Sequence, residues 1–222
     1  MDSGEISSLR AQVAQTAAAV VASGAISSNG HGNISVRAPG AAEMLFSTAP
    51  SLTGLTTDMV ARIRLDGEIL EGDVPPIQRA VIDMHTAIYA DRPEAGCVIH
   101  THSPCATAFA VARRRIDCWI EALAMFGLAD GVPVAAYGPR GSAQAVANIR
   151  AALDSRGCAV LLANHGVLVF HRNPEQAVMI GGVVEEAARA AMTSMALGGP
   201  IEIEPEMRAA ALQRAAAFGI VS

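Results

Sequence analysis

Residues 98–104 read VIHTHSP: an apolar pair, two histidines separated by one threonine, and a proline that ends the segment. Cys97, Val98 and Ile99 favour a buried strand, and a strand sends alternate side chains to the same face. His100 and His102 therefore share a face, with Thr101 on the other. Their backbones lie roughly 6–7 Å apart, which suits capture of one divalent cation at nitrogen bond lengths of about 2.0–2.1 Å. The same pair also fits two partly exposed histidines at a strand end, so a metal reading needs further ligands.

Outward from this strand the elements alternate between two periods. MDSGEISSLRAQVAQTAAAVVASG reads as a helix, because acidic residues open it and polar residues break its alanine stretch. GNISVRAPG and AEMLFSTAP read as short strands, and ARIRLDGEIL as a hairpin with its turn at Asp66-Gly67. From Pro76, Ile77, Val81, Met84 and Ile88 fall at helical spacing up to ADRP, where the strand with the two histidines follows. SAQAVANIRAALDSRG is a further helix ending in a glycine stop, and Asn173-Pro174 opens a long one with Asn as cap and Pro at its first position. No repeat or linker interrupts this order, so residues 1–222 form a single domain of mixed layers, helices around an antiparallel sheet.

Composition narrows the function. The 222 residues are 51% hydrophobic and 17% charged, as in a compact globular protein rather than a disordered one. The net charge of -5 comes without an acidic tail or basic patch, and the only arginine cluster, Arg113 to Arg115, is short; this predicts no nucleic-acid and no membrane partner. No apolar stretch approaches the length of about 18 residues that spans a bilayer. Cysteines 97, 105, 118 and 158 form no CxxC pair, which fits a reduced cytoplasm.

A third histidine stands in CAVLLANHGVLVFH, strand-like on both sides of Asn164-His165-Gly166. His165 breaks an apolar pair at a tight turn, either as a turn-stabilising residue or as a partner for His100 and His102.

HGNISVR at 31–37, LDGEILEG in the hairpin, MHTAIYADRPEAGCVIHTHSP at 84–104 and LLANHGVLVF at 161–170 resemble, in order and spacing, the successive signatures of the class II aldolase/adducin family, over roughly residues 9 to 195. The resemblance implies an α/β fold, with α/β/α layers around a central, mainly antiparallel sheet, in a homotetramer with active sites at subunit interfaces. It implies one divalent ion per chain (zinc, manganese, iron or cobalt) on His100, His102 and His165. The adducin branch, which serves protein interaction, lacks these histidines.

Departures from the family pattern shape the expected chemistry. Sugar-phosphate aldolases of the family carry Ser-Ser-Glu before the helix, the serines for phosphate and the Glu as acid/base or metal ligand. Here the run is PPIQRAVIDMH, with Val81 at the Glu position and no serine pair before it. On a continuous helix Asp83 would point away from Val81 by about 200°. STAPSLTG, which contains Ser47 and Ser51, lacks a glycine immediately after Ser51 to let backbone amides cradle a phosphate.

The retained polar residues predict a small carboxylate substrate. Gly32 and Asn33 keep a permissive turn near the metal, Asn33, Ser47 and Ser51 are candidate substrate-binding residues, and Arg37 is either a further one, a fork for a carboxylate, or a surface arginine. His31 and His85 have imidazoles able to move a proton near neutrality, although His85 also borders an apolar helix face. A cation that accepts the charge left by C–C cleavage, without the Glu that would deprotonate an alcohol, favours decarboxylation of a hydroxylated, possibly aromatic, carboxylic acid. Aldol cleavage or epimerisation of a sugar or sugar phosphate is the alternative, and metal-dependent oxygenation a second one.

Overall fold

The computed structural model describes residues 1–153 and 157–217. Helix α1 (Ser3–Ser23) starts at a reciprocal capping box between Asp2 and Glu5 and stops at Gly24, which takes φ +72°. The chain then forms β1 (Gly32–Val36), β2 (Glu43–Ser47), β3 (Val60–Arg64) and β4 (Ile69–Glu71), joined as antiparallel neighbours. The β3–β4 hairpin turns at Gly67 (φ +92°), where the Asp-Gly pair predicts it.

Two short helices follow, α2 (Pro76–Arg79) and α3 (Ile82–Asp91), and then β5 (Cys97–Thr101), the predicted histidine strand. After α4 (Pro104–Val111), α5 (Glu121–Met125), β6 (Val134–Ala135) and α6 (Ala143–Ala152) come β7 (Ala159–Leu162) and β8 (Gly166–His171), the long helix α7 (Pro174–Ser194) and α8 (Pro205–Ala217). Helix α6 ends at Ala152, where Leu153 is already extended (ψ 120°), so it stops before the glycine predicted to end it; residues 154–156 and 218–222 lie outside the described residues.

The eight strands of the described residues belong to one sheet in the order β4-β3-β2-β1-β5-β8-β7-β6. Every neighbouring pair is antiparallel except β6–β7, so the sheet is mixed but mainly antiparallel. Period-2 alternation divides its side chains between two cores. Cys97 and Ile99 of β5 face α1, α4 and α7, packing with Val13, Ala177 and Val184. Val98 faces the other way, onto Ile82, Ile88 and Tyr89 of α3 and Ile149 of α6. His100, two residues after Val98, continues that second face to the strand end.

A larger expectation also fails. The run from Pro76 is not a continuous helix: it breaks at Ala80 and Val81, and Val81 has φ -114° and ψ 0°. The break resets the helical phase, so Asp83 lies on the same cavity wall as Val81 instead of pointing away. No proline or glycine marks the break in QRAVID; it accommodates the packing of buried Val81 and Ile82 beneath the sheet.

Candidate metal centre

Three backbone elements bring the histidines together. His100 ends β5 and pairs with Asn33 of β1 and Leu168 of β8; His102 follows one residue past the strand; His165 occupies the β7–β8 turn. Asn164 supports that turn with φ +59°, and Gly166 completes it. A Cβ at Gly166 would lie 2.4 Å from the Thr101 carbonyl and 3.2 Å from both His100 Cε1 and His102 Cδ2, so the cluster closes only over a glycine. On the far side, Glu185 of α7 accepts from the Cys105 and Ala106 amides at 2.9 and 2.8 Å, anchoring the start of α4 just beyond His102.

The imidazole centroids lie 5.1 Å (His100–His102), 4.7 Å (His100–His165) and 4.9 Å (His102–His165) apart. One nitrogen from each can be chosen so that all three lie within 4.8 Å of one another. His100 is fully buried and donates from Nδ1 to the Val167 carbonyl at 2.9 Å. That bond fixes the tautomer and leaves the Nε2 lone pair without a partner among the described residues. Burial, reinforced by the like charge the other rings would carry, holds His100 well below the usual imidazole range and brings His165 down to about 4. His102 is lowered mainly by burial, then by His31 and Arg140. At neutral pH all three are neutral donors, the form that binds a cation, and an all-nitrogen set suits zinc or another transition ion.

A cavity of about 140 Å³ opens beside them, with His31, Asn33, Gln78 and Arg140 in its wall as well as His100 and His102. His31 is exposed at the rim, its ring 5.7 Å from that of His102. Asn33 is buried at the base. Ser51 forms a β-bridge with His31, while its hydroxyl accepts from the Thr53 amide at 3.1 Å and serves the turn.

Three predicted site residues are engaged elsewhere. His85 is fully buried, with Nδ1 2.8 Å from Ser35 Oγ and Nε2 2.6 Å from Asn33 Oδ1. Because Oδ1 can only accept, Nε2 is the donor and Nδ1 accepts from Ser35, whose oxygen is 2.9 Å from the Tyr89 hydroxyl. With both nitrogens held, and its pKa pushed down to about 3 by burial, His85 positions Asn33 rather than moving a proton. Arg37 shares a face with Asn33 but stands four residues further along, roughly 13 Å at strand rise. There its guanidinium donates to the carbonyls of Pro93 and Ala95 and stacks 4.5 Å from the Tyr89 ring centre. Ser47 is buried inside the sheet, its hydroxyl accepting from the Ile34 amide at 2.9 Å.

The sequence reading missed Gln78 and Arg140. Gln78 is 2% exposed in the cavity wall, and its Nε2 donates to the Ala49 carbonyl at 2.8 Å. Arg140 is a lone arginine in a Pro-Arg-Gly turn; the flanking glycines, Gly138 and Gly141, were the available signal of a tightly placed loop.

Comparison with known proteins gives a consistent picture. Residues 11–192 match the family model described as Class II Aldolase and Adducin N-terminal domain. The L-fuculose phosphate aldolase of Escherichia coli strain K12 is 28% identical over 190 residues, covering 85% of this chain and 86% of that protein. The 5-deoxy-D-ribulose 1-phosphate aldolase of Bacillus thuringiensis serovar kurstaki is 32% identical over 142 residues, 64% of each chain. A solved L-fuculose 1-phosphate aldolase superposes with a TM-score of 0.83 at 23% identity, covering 93% of this chain and 95% of the other, which establishes the shared fold.

Proposed function

The chain belongs to the class II aldolase/adducin family, and from that premise we propose that it is a divalent-metal-dependent aldolase cleaving a small, anionic hydroxycarbonyl compound. It is an enzyme of the carbon–carbon lyase type; the substrate and the metal are the proposed part. Relatives named as sugar-phosphate aldolases favour aldol cleavage over the decarboxylation that the sequence reading put first. The single observation that carries the reading is the buried, unpartnered Nε2 of His100 facing two further neutral imidazoles at a cavity.

His100, His102 and His165 would hold the ion. Bound there, a divalent cation supplies Lewis acidity that stabilises the negative charge developing on an enolate oxygen as the C–C bond breaks. The protein's own residues do the rest. Asn33, locked through its Oδ1 by His85, lines the cavity with its amide N–H groups left to act as fixed donors to a substrate. His31, at the rim beside His102, is the imidazole with access to exchange a proton with substrate. Apolar side chains exposed on α7 and just beyond it, Met179, Met192 and Met195, support assembly into the homotetramer the family resemblance implies.

Decarboxylation remains as a second reading on one observation: Val81, 4% exposed, occupies the position where the aldolases of the family carry a carboxylate. Losing CO₂ needs no base to deprotonate an alcohol. The test is to load the protein with zinc or manganese and offer ketose 1-phosphates and 2-hydroxy or hydroxy-aromatic carboxylates, recording aldehyde and CO₂ separately. Metal-dependent aldehyde release is expected; CO₂ release alone selects the second reading, and neither product overturns both.

A further inference from the structure

Arg140 lies in the loop between β6 and α6, and that loop is fixed at several points. Asn148 of α6 donates to the carbonyls of Ala136 and Tyr137 at 3.1 and 3.0 Å, and Ser142 caps α6 by accepting from the Ala145 amide at 3.1 Å. A Cβ on Gly138 would come within 2.6 Å of the Ala145 backbone, and one on Gly141 (φ +75°) within 3.0 Å of the Ala80 Cβ. The loop is thus pressed onto α6 on one side and onto the α2–α3 break on the other. It delivers Arg140 to the wall shared by the 140 Å³ cavity and a smaller one of about 50 Å³ bordered by Val81, Asp83 and His165.

No described residue neutralises this guanidinium. Arg140 has neither an ion pair nor a side-chain hydrogen bond, and burial of its surroundings lowers its pKa without any carboxylate to offset it. Asp83 borders the smaller cavity and makes no pair with it. Three neutral imidazoles carrying a divalent ion, with an arginine beside them, leave the cavity strongly cationic, so its complement is an anion.

The placement also explains a deficit. The two positions before Val81, where the family's aldolases carry serines for phosphate, are Arg79 and Ala80, and Arg79 Nε donates to the Val74 carbonyl at 2.8 Å. The Arg140 loop rests directly against Ala80. Gln78 in the larger cavity adds a buried acceptor, Oε1, that has no partner among the described residues.

We infer that Arg140 is the specificity-determining residue of this site, pairing with the carboxylate or phosphate of the substrate while the buried Gln78 carbonyl accepts from one of its hydroxyls. The reaction it serves rests on the lyase reading above, whereas anion capture is measurable without turnover. Titration calorimetry on the zinc-loaded and the metal-free protein, at low salt, with inorganic phosphate and with glycolate as separate probes, tests it. The intact protein is expected to bind one of them, and Arg140→Gln to weaken that binding about tenfold or more, since charge-assisted pairs carry that much. Arg140→Lys retains part of it, and zinc stoichiometry stays unchanged in both variants. Preference for phosphate assigns a phosphorylated substrate, and preference for glycolate a hydroxy acid. Equal binding by Arg140→Gln and the intact protein, or binding of neither probe by the intact protein, overturns the inference. If anion binding depends on Arg140 but no hydroxycarbonyl compound is cleaved, the lyase reading alone fails; if cleavage proceeds while Arg140→Gln keeps full binding, only the role of Arg140 fails.

Discussion

His85 and His100 are both fully buried and both depressed by burial, yet they face opposite fates. His85 has a partner on each nitrogen, Ser35 and Asn33, so its hydrogen-bonding capacity is closed. His100 has one partner, the Val167 carbonyl, and one buried nitrogen with none. A lone pair left unmatched in a buried site is costly, and the geometry that leaves it so also directs two more imidazoles at the same point. A closed histidine is architecture; a half-open one among neighbours is a ligand.

The largest effect that separates them is on metal affinity. His100→Ala, His102→Ala and His165→Ala are each expected to weaken zinc binding by at least about 100-fold, because losing a group that merely orients a ligand already costs about 10–100-fold. His85→Leu is expected to keep zinc at about one per chain. Zinc calorimetry on the four variants checks this, and a His85→Leu protein that loses its metal would break the distinction.

Stability should rank them the other way. His85→Leu strands Asn33 Oδ1 in the core, at about 1–3 kcal/mol, while Ser35 keeps the Tyr89 hydroxyl as its partner. Arg37→Met strands the carbonyl of buried Ala95 and is expected to cost about 1–3 kcal/mol, with the substrate KM unchanged within about twofold. Urea unfolding alongside steady-state kinetics tests both, and an Arg37→Met enzyme with intact stability and a raised KM would restore Arg37 to the substrate site.

A smaller effect is in pH. The folded pKa of His85 is about 3 against a reference of 6.5, so between those values the unfolded chain takes up a proton that the folded one refuses. Stability is therefore expected to be independent of this residue above about pH 6.5 and to fall as pH drops below it, by up to about 1.4 kcal/mol per pH unit. His85→Gln should flatten that part of the acid limb in the metal-free protein; urea midpoints between pH 4 and 7 that descend identically in both proteins would contradict it.

How much of this could be read from the sequence follows from the range of the forces involved. Strand period alone put His100 and His102 on one face, and the polar break at Asn164-His165-Gly166 marked the third ring, because both are local signals. The β3–β4 hairpin was legible for the same reason. The break at Ala80–Val81 was not, since no residue in QRAVID demands it and only packing against the sheet reveals it, and with it the placement of Asp83. Arg37 and Ser47 had the right chemistry on plausible strands, but the distance along β1 and the closure of the β1–β2 edge divert them to backbone groups. Arg140 was invisible as a single charge in a turn until the packing of Gly138 and Gly141 fixed where it stands.

The central claim is that three imidazoles converge on one ion through nitrogens the fold leaves open. Anomalous diffraction at the zinc edge from zinc-soaked crystals tests it most directly. The expected result is one peak per chain at about 2.0–2.1 Å from His100 Nε2 and from one nitrogen each of His102 and His165, with His85 still bonded to Asn33 and Ser35. A peak on other residues, or density showing His100 Nε2 bonded to protein alone, would contradict it.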